Sequence, residues 1–478
     1  MANLVLCGFE WGTVYEADTW EYAVADTKSI KTDVVNSGNY SCFISVYDHI
    51  GFAFPSSSEV FIQAAVNFDV QITGEGRECF VWKGNQGSTE LGSVYTNDIS
   101  QVVVRSGGVE RIISDSIQLA TWYILEVHII TGTNGLIEFK IDGNLVGTYS
   151  GNTGSVNPDF VDFCSFWGMY IDDIVIDDAD WCGCQKIVLL RPDATGDMTQ
   201  WDPTHDYSNY EHVNDVPADY TDYVTTDTKR RTDLYEIASL PTEAFEIGTL
   251  RSQAWCEKDS GSIVNNALLA FTLKTGDIAV TATELALNGT FDTGDLTGWH
   301  QTGSTDNISV YSHQDFLDGG FARDVYSGYS LACSPSSSLS GLSLLIYTDI
   351  DSYYCIRFYC ANSMPDGPQG SNSLSVYWAS EALQTATDTA SQDYTQYQYF
   401  ALATTTMTFV QFEALNSTGT FFLDSISVQL APIYTSTVQD VYLHWQLASY
   451  AWSLVNPQTS WYYSPADVNQ LQIGYQSK

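Results

Sequence analysis

The chain has 478 residues, 44% hydrophobic and 14% aromatic, which is enough apolar mass to bury cores and too much for wholesale disorder. Domains of roughly 100–200 residues make about three the expected number. Its 18 Lys and Arg against 58 Asp and Glu leave a formal net charge of −40, which argues against nucleic acid as a partner, because affinity for a phosphate backbone comes from cations that displace counterions.

The opening "MANLVLCGFEWGTVYEADTW" has no basic region and no long apolar run, so no export signal is read in it. No later stretch reaches the ~20 apolar residues of a membrane span, and no membrane partner is expected. Strand signals follow in "EVFIQAAVNFDV", "SQVVVRS", "WYILEVHII" and "LIEFKIDGNLVGTY", short β-branched and aromatic runs punctuated by Gly, Asn, Asp and Ser. Asp142-Gly143 predicts a two-residue hairpin, since both central positions of that turn need positive φ. Long amphipathic helical patterns are nearly absent. The predicted class is all-β, a multidomain chain of β-sandwiches or jelly rolls.

Three features in order, "GFEWG", the hairpin region and the closing "FWGMYIDDIVIDDADW", resemble a LamG-like (concanavalin-type) jelly roll over residues 1–184. The ten cysteines are spread along the chain. Only Cys182-Gly183-Cys184 is close-set, and it lacks the partners of a tetrahedral zinc site, so buried free thiols are expected, with one or two disulfides open.

From residue 185 the character changes. "QKIVLLRPDATGDMTQWDPTHDYSNYEHVNDVPADYTDYV" is similar to the domain that follows a LamG-like fold in tailed-phage virion proteins, and its expected ending, "SWYYSPADVNQLQIGYQSK", stands at the far C-terminus. Between them, "ELALNGTFDTGDLTGWHQTG" opens and "GTFFLDSISVQL" closes a block that resembles a carbohydrate-binding-module jelly roll. The expected division is therefore 1–184, a discontinuous β-rich unit of 185–283 plus 432–478, and an inserted unit of 284–431. Insertion is mild in energy where a domain's termini lie close together.

The last resemblance implies a structural calcium held by Asp292 and Asp424 with backbone carbonyls, the alternative being that both acids cap turns. It also implies sugar binding by stacking on exposed rings, for which the candidates are Tyr326, Tyr329, Tyr347, Tyr377, Trp378, Tyr394, Tyr397 and Tyr399. "DYTQYQYF" ranks first, because period-two tyrosines share one face and glutamines take the other. That face is either a platform or a wall of the sandwich. No nucleophile elbow, P-loop or H-E-x-x-H helix occurs. His205 and His212 lie in an acidic, Tyr-rich loop expected to be solvated, and the basic run Lys229, Arg230, Arg231 is expected to be exposed, docking to an acidic neighbour being the alternative.

These readings together predict a non-catalytic tailed-phage virion structural protein: an exterior decoration, fibre, or tail or collar appendage, assembled in the host cytoplasm. Its expected partners are other virion proteins, further copies of itself and, weakly, glycans, for which repetition on a particle raises avidity. The alternatives are a tail-associated glycan depolymerase, for which two carboxylates suffice, and a secreted glycan-binding adhesin.

Overall fold

The structure is a computed structural model and describes residues 3–10, 19–20, 29–45, 48–68, 77–165, 168–242, 246–258, 267–276, 282–318, 324–363, 372–387, 392–416, 418–441, 446–453 and 463–478. Trp11 and Gly12 of the opening motif lie outside the described residues, as do Phe166 and Trp167 of "FWGMY" and Trp461 and Tyr462 of the C-terminal one. The protein is nearly all β. Among the described residues the helices are single turns, such as His313–Leu317 and Pro465–Val468, each opened by a serine capping box. No helix is long and apolar enough to cross a membrane.

Strands between residues 3 and 177 form an eight-stranded and a seven-stranded antiparallel sheet. They enclose one core, where Ile62, Ala64, Val127 and Phe139 of the first meet Phe52, Phe80, Trp82 and Phe163 of the second. The predicted hairpin is present: Ile141 pairs with Asn144, and Asp142 and Gly143 have φ of 50° and 75°. Strand Glu59–Asn67 is buried on both faces, because Phe61, Gln63 and Asn67 do not look out to solvent. Something covers them, and it is the chain itself, as shown below.

Strands Pro192–Thr199, Thr232–Ile237, Leu471–Ser477, Ala267–Thr275 and Ile433–Thr435 form one sheet in that order, with Gln439–Val441 also pairing to Ala267–Thr275. The C-terminal strand thus lies between two strands some 200 residues earlier. Two five-stranded sheets from residues 300–430 make a further sandwich, whose core includes Leu344, Trp378 and Phe412 from one sheet and Leu331, Phe358 and Leu423 from the other.

The stretch "NGTFDTGDLTGW" locks this sandwich shut. Asn288, at φ 52°, uses its carbonyl oxygen to accept the Trp299 indole N–H at 3.2 Å, while its side-chain amide donates to the Asp295 carbonyl. Gly289 accepts the Ile426 N–H, and a Cβ there would stand 1.8 Å from the Ile426 oxygen, so only glycine fits.

One end of the sandwich sits on the discontinuous sheet. Tyr353, Cys355 and Phe400 pack with Met198, Leu234 and Ile433, and the buried Tyr353 hydroxyl bonds Thr232 and Gln476, each at 2.6 Å. The basic run is not simply solvated: Arg231 Nη1 lies 2.7 Å from Glu381 and Arg230 Nη2 lies 3.6 Å from Asp351. Cys79, Cys164, Cys182, Cys184, Cys355 and Cys360 are thiols outside any disulfide.

Candidate functional site

The outward face of strand Tyr353–Asn362 carries a row that alternation makes possible. Phe358 points into the core, so Arg357 and Tyr359 point out. Register places Gln398 beside Arg357 and Gln396 beside Tyr359, with Asp424 on the other side of Tyr359. Arg357 Nε donates to Gln398 at 2.6 Å. The Tyr326 ring stacks on Tyr359, centroids 3.9 Å apart, with the Tyr394 ring 5.5 Å away. Tyr326 is 45% exposed. Beneath the rings the Tyr394 hydroxyl meets that of Tyr311 at 3.3 Å. Rings, amides and a guanidinium on one partly open face are the groups that recognise a sugar ring and its hydroxyls.

The predicted aromatics divide between this face and the core. Trp378 is 3% exposed, its ring stacked on Tyr354 and its N–H donating to the Leu402 carbonyl. It is a core residue, which corrects its placement among the binding rings. Tyr397 and Tyr399 do share a face opposite Gln396 and Gln398, but that face is the core side, against Phe358. Tyr394, three positions before Tyr397, falls with the glutamines. Tyr377 is half-buried on the other sheet, paired with Gln411. There, Leu345 pairs with Phe409 and Tyr347 with Met407, and all four are exposed. Tyr359 and Arg357 were not among the expected residues. The parity that sets them against Phe358 is their only signal in the sequence.

Asp292 and Asp424 approach one turn without forming an oxygen cage. Asp424 is fully buried, and its oxygens accept Ser327 N–H at 3.0 Å, Ser330 O–H at 2.7 Å and the Ser425 N–H. Burial pushes its carboxyl up against the pull of these bonds. Asp292 is exposed, accepts the Thr290 hydroxyl at 2.8 Å, and lies where a Cβ on Gly328 would come within 2.7 Å of its Oδ1. Calcium takes six to eight oxygen ligands. The groups around Asp424 are donors already bonded to it, so the residues as arranged do not fit calcium.

The comparable face of the first jelly roll is rich in titratable groups and covered. His128 stands between Glu59 at 2.9 Å and Glu138 at 3.1 Å, stacked on Phe61 with centroids 4.1 Å apart. Trp181 packs edge-on to both rings, and Lys140 Nζ lies 3.5 Å from its centroid. Gln63 donates to the carbonyls of Asp173 and Gln185 and accepts the Gln185 N–H, fixing the same segment. Glu126 accepts from Gly183 N and Cys184 Sγ, and burial followed by this carboxylate pushes the Cys184 thiol up to about 12. The Cys-Gly-Cys stretch is thus a neutral plug.

No protein-family model matches the chain, and no curated protein does. Solved structures are similar to parts of it. An endo-β-1,4-glucuronan lyase from the fungus Trichoderma reesei is 9% identical over 37% of this chain and 96% of its own, with a TM-score of 0.31. TmCBM61 in complex with β-1,4-galactotriose is 10% identical over 31% and 99%, with a TM-score of 0.25. The enzymatically active domain of bacteriophage CBA120 tailspike protein 4 is 11% identical over 31% and 21%, with a TM-score of 0.24. Likenesses of this score say nothing of what the present chain binds.

Proposed function

We propose that the chain is a non-catalytic structural component of a tailed-phage particle that holds glycans weakly through the outer face formed by Tyr326, Tyr359, Tyr394, Arg357, Gln396 and Gln398. The observation that carries the glycan reading is Tyr326, stacked on Tyr359 and 45% exposed, with polar groups within the same row. The virion reading rests on the resemblance of residues 185–240 and the C-terminal tail to phage virion proteins. Docking to particle partners or further copies is supported by the exposed Leu345, Tyr347, Met407 and Phe409 on the opposite sheet, since contiguous apolar surface commonly marks an interaction site. Catalysis is not favoured at the first jelly roll, where His128, bonded to Glu59 and Glu138, lies buried against the chain's own Trp181.

The test is a glycan array probed with the intact chain and with Tyr326→Ala. The expected result is retention on a defined glycan class, reduced by roughly ten- to a hundredfold in the variant, as loss of a stacking ring worth about 1–3 kcal/mol implies. Binding to no glycan, or binding that Tyr326→Ala and Tyr359→Ala both leave unchanged, overturns the reading. Co-migration of the chain with intact particles in a density gradient tests its structural half.

A further inference from the structure

Between the two-residue strands Asp202–Pro203 and Val224–Thr225 runs a loop of twenty residues whose regular structure is one 3-10 turn, Asn209–His212. Its ends are tied by the pairs Asp202–Thr225 and Pro203–Val224 and by Thr204 N–H donating to the Tyr223 carbonyl. So long a connection inside a folded unit ordinarily serves a function or is held by something other than a ladder.

Three side chains from its beginning, middle and end converge. His212 Nδ1 contacts Asp222 Oδ1, Thr204 Oγ1 donates to the same oxygen at 3.3 Å, and His205 Nδ1 faces it at 3.7 Å. The two imidazoles are nearly parallel, 13° apart in plane, with centroids 6.0 Å apart. One ligand atom from each of the three residues lies within 4.8 Å of the others. His205 is too far from Asp222 for a hydrogen bond, yet turns its nitrogen toward it. That separation is close to the one between neighbouring ligands of a tetrahedral ion with bonds of ~2.0–2.1 Å, about 3.3 Å.

We propose that His205, His212 and Asp222 form a three-ligand site for a divalent transition metal of the zinc class, which fastens this loop. Two imidazole nitrogens select zinc, cobalt, nickel or copper over calcium and magnesium, which favour oxygen. The side chain of His212 is 0% exposed, that of Asp222 27% and that of His205 58%, so the ion has a packed floor and a solvent side from which it enters and where water completes the coordination. Thr204 then becomes the partner that orients the ligating carboxylate. Two neutral imidazoles and one carboxylate leave the bound ion a charge of +1, which the acidic loop, with Asp206, Asp215 and Asp219, balances.

The test is calorimetric titration of the chelator-stripped full chain with zinc chloride, with cobalt(II) absorption as a coordination probe. The expected result is one equivalent bound, a visible cobalt band of tetrahedral intensity, and a rise in melting temperature on adding zinc. His205→Ala, at an exposed position, keeps the fold and weakens binding at least tenfold; Asp222→Asn does the same from the opposite end of the loop. Absence of saturable binding of both ions, or equal affinity in His205→Ala, overturns the proposal, since the other histidines would then account for any uptake.

Discussion

The two jelly rolls present their titratable, aromatic-rich faces in opposite ways. In the first, Phe61, Gln63, Glu126 and His128 lie under residues 181–185, which bond them directly. In the second, the discontinuous sheet docks at the Tyr353 end of the strand, while further along the row Tyr359 and Tyr394 are half-buried and Tyr326 is 45% exposed. Residues of similar chemistry therefore serve cohesion in one sandwich and are available for recognition in the other. What decides is whether the chain supplies its own ligand, and in the first jelly roll the segment after the last strand does so.

Removing that internal ligand gives the largest expected effect. Gln63→Leu keeps the volume and leaves the Asp173 and Gln185 carbonyls and the Gln185 N–H without their partner in a buried place. The expected loss is about 2–4 kcal/mol, from an unmet-group cost of ~1–3 kcal/mol each and partial relaxation of the segment. Urea denaturation measures it. A loss below about 1 kcal/mol would mean that water replaces the glutamine and that the cap is loose enough to leave.

The same jelly roll also carries a pH dependence. Glu10 is buried and accepts the N–H groups of Asn39 and Tyr40, and its oxygens sit where a Cβ on Gly38 would be 2.2 Å away, at φ 62°. Burial pushes its carboxyl up to about 7 and that of Asp172 up to about 9, where neighbouring Asp173 adds repulsion. The folded state thus holds protons that the unfolded chain has released, from pH 4.5 to about 7 for Glu10. Stability contributed by these protons is present on the acid side and falls as pH rises through that window. The expected denaturation midpoint declines from about pH 5 to about pH 8, and Glu10→Gln flattens the part of the decline below about pH 7. A midpoint that these acids leave flat over this range, unchanged by Glu10→Gln, would show that both are ionised when folded.

Much of this difference was invisible in the sequence for identifiable reasons. The Asp142-Gly143 hairpin is legible because its chemistry is local. The strand alternation around Tyr397 and Tyr399 is legible too, but which of its two faces meets the core depends on Phe358, about forty residues earlier. Trp378 shares that ambiguity and falls inside. His212 reads as a solvated loop residue because its burial depends on the loop folding back through Asp222, and the covering of His128 depends on Trp181, which is distant in sequence from the strand it caps. The exposure of the basic run was legible, whereas its partners were not, since Glu381 and Asp351 lie more than a hundred residues later.

That run gives the smallest expected effect and the sharpest test of how the open sandwich is held. Arg231 and Glu381 are close but well exposed, and such pairs contribute about 0.2–1 kcal/mol. The double-mutant cycle of Arg231→Ala and Glu381→Ala is expected to give a coupling in that range that shrinks in high salt as screening shortens the reach of the charges. The buried Tyr353 hydroxyl, bonded to Thr232 and Gln476, then carries the docking, and the ion pair only trims its angle. A coupling above about 2 kcal/mol would reverse that order. It would mean that the pair is desolvated in solution, that the two units press more closely than the Tyr353 contact requires, and that the direction in which the open face looks is set by charge.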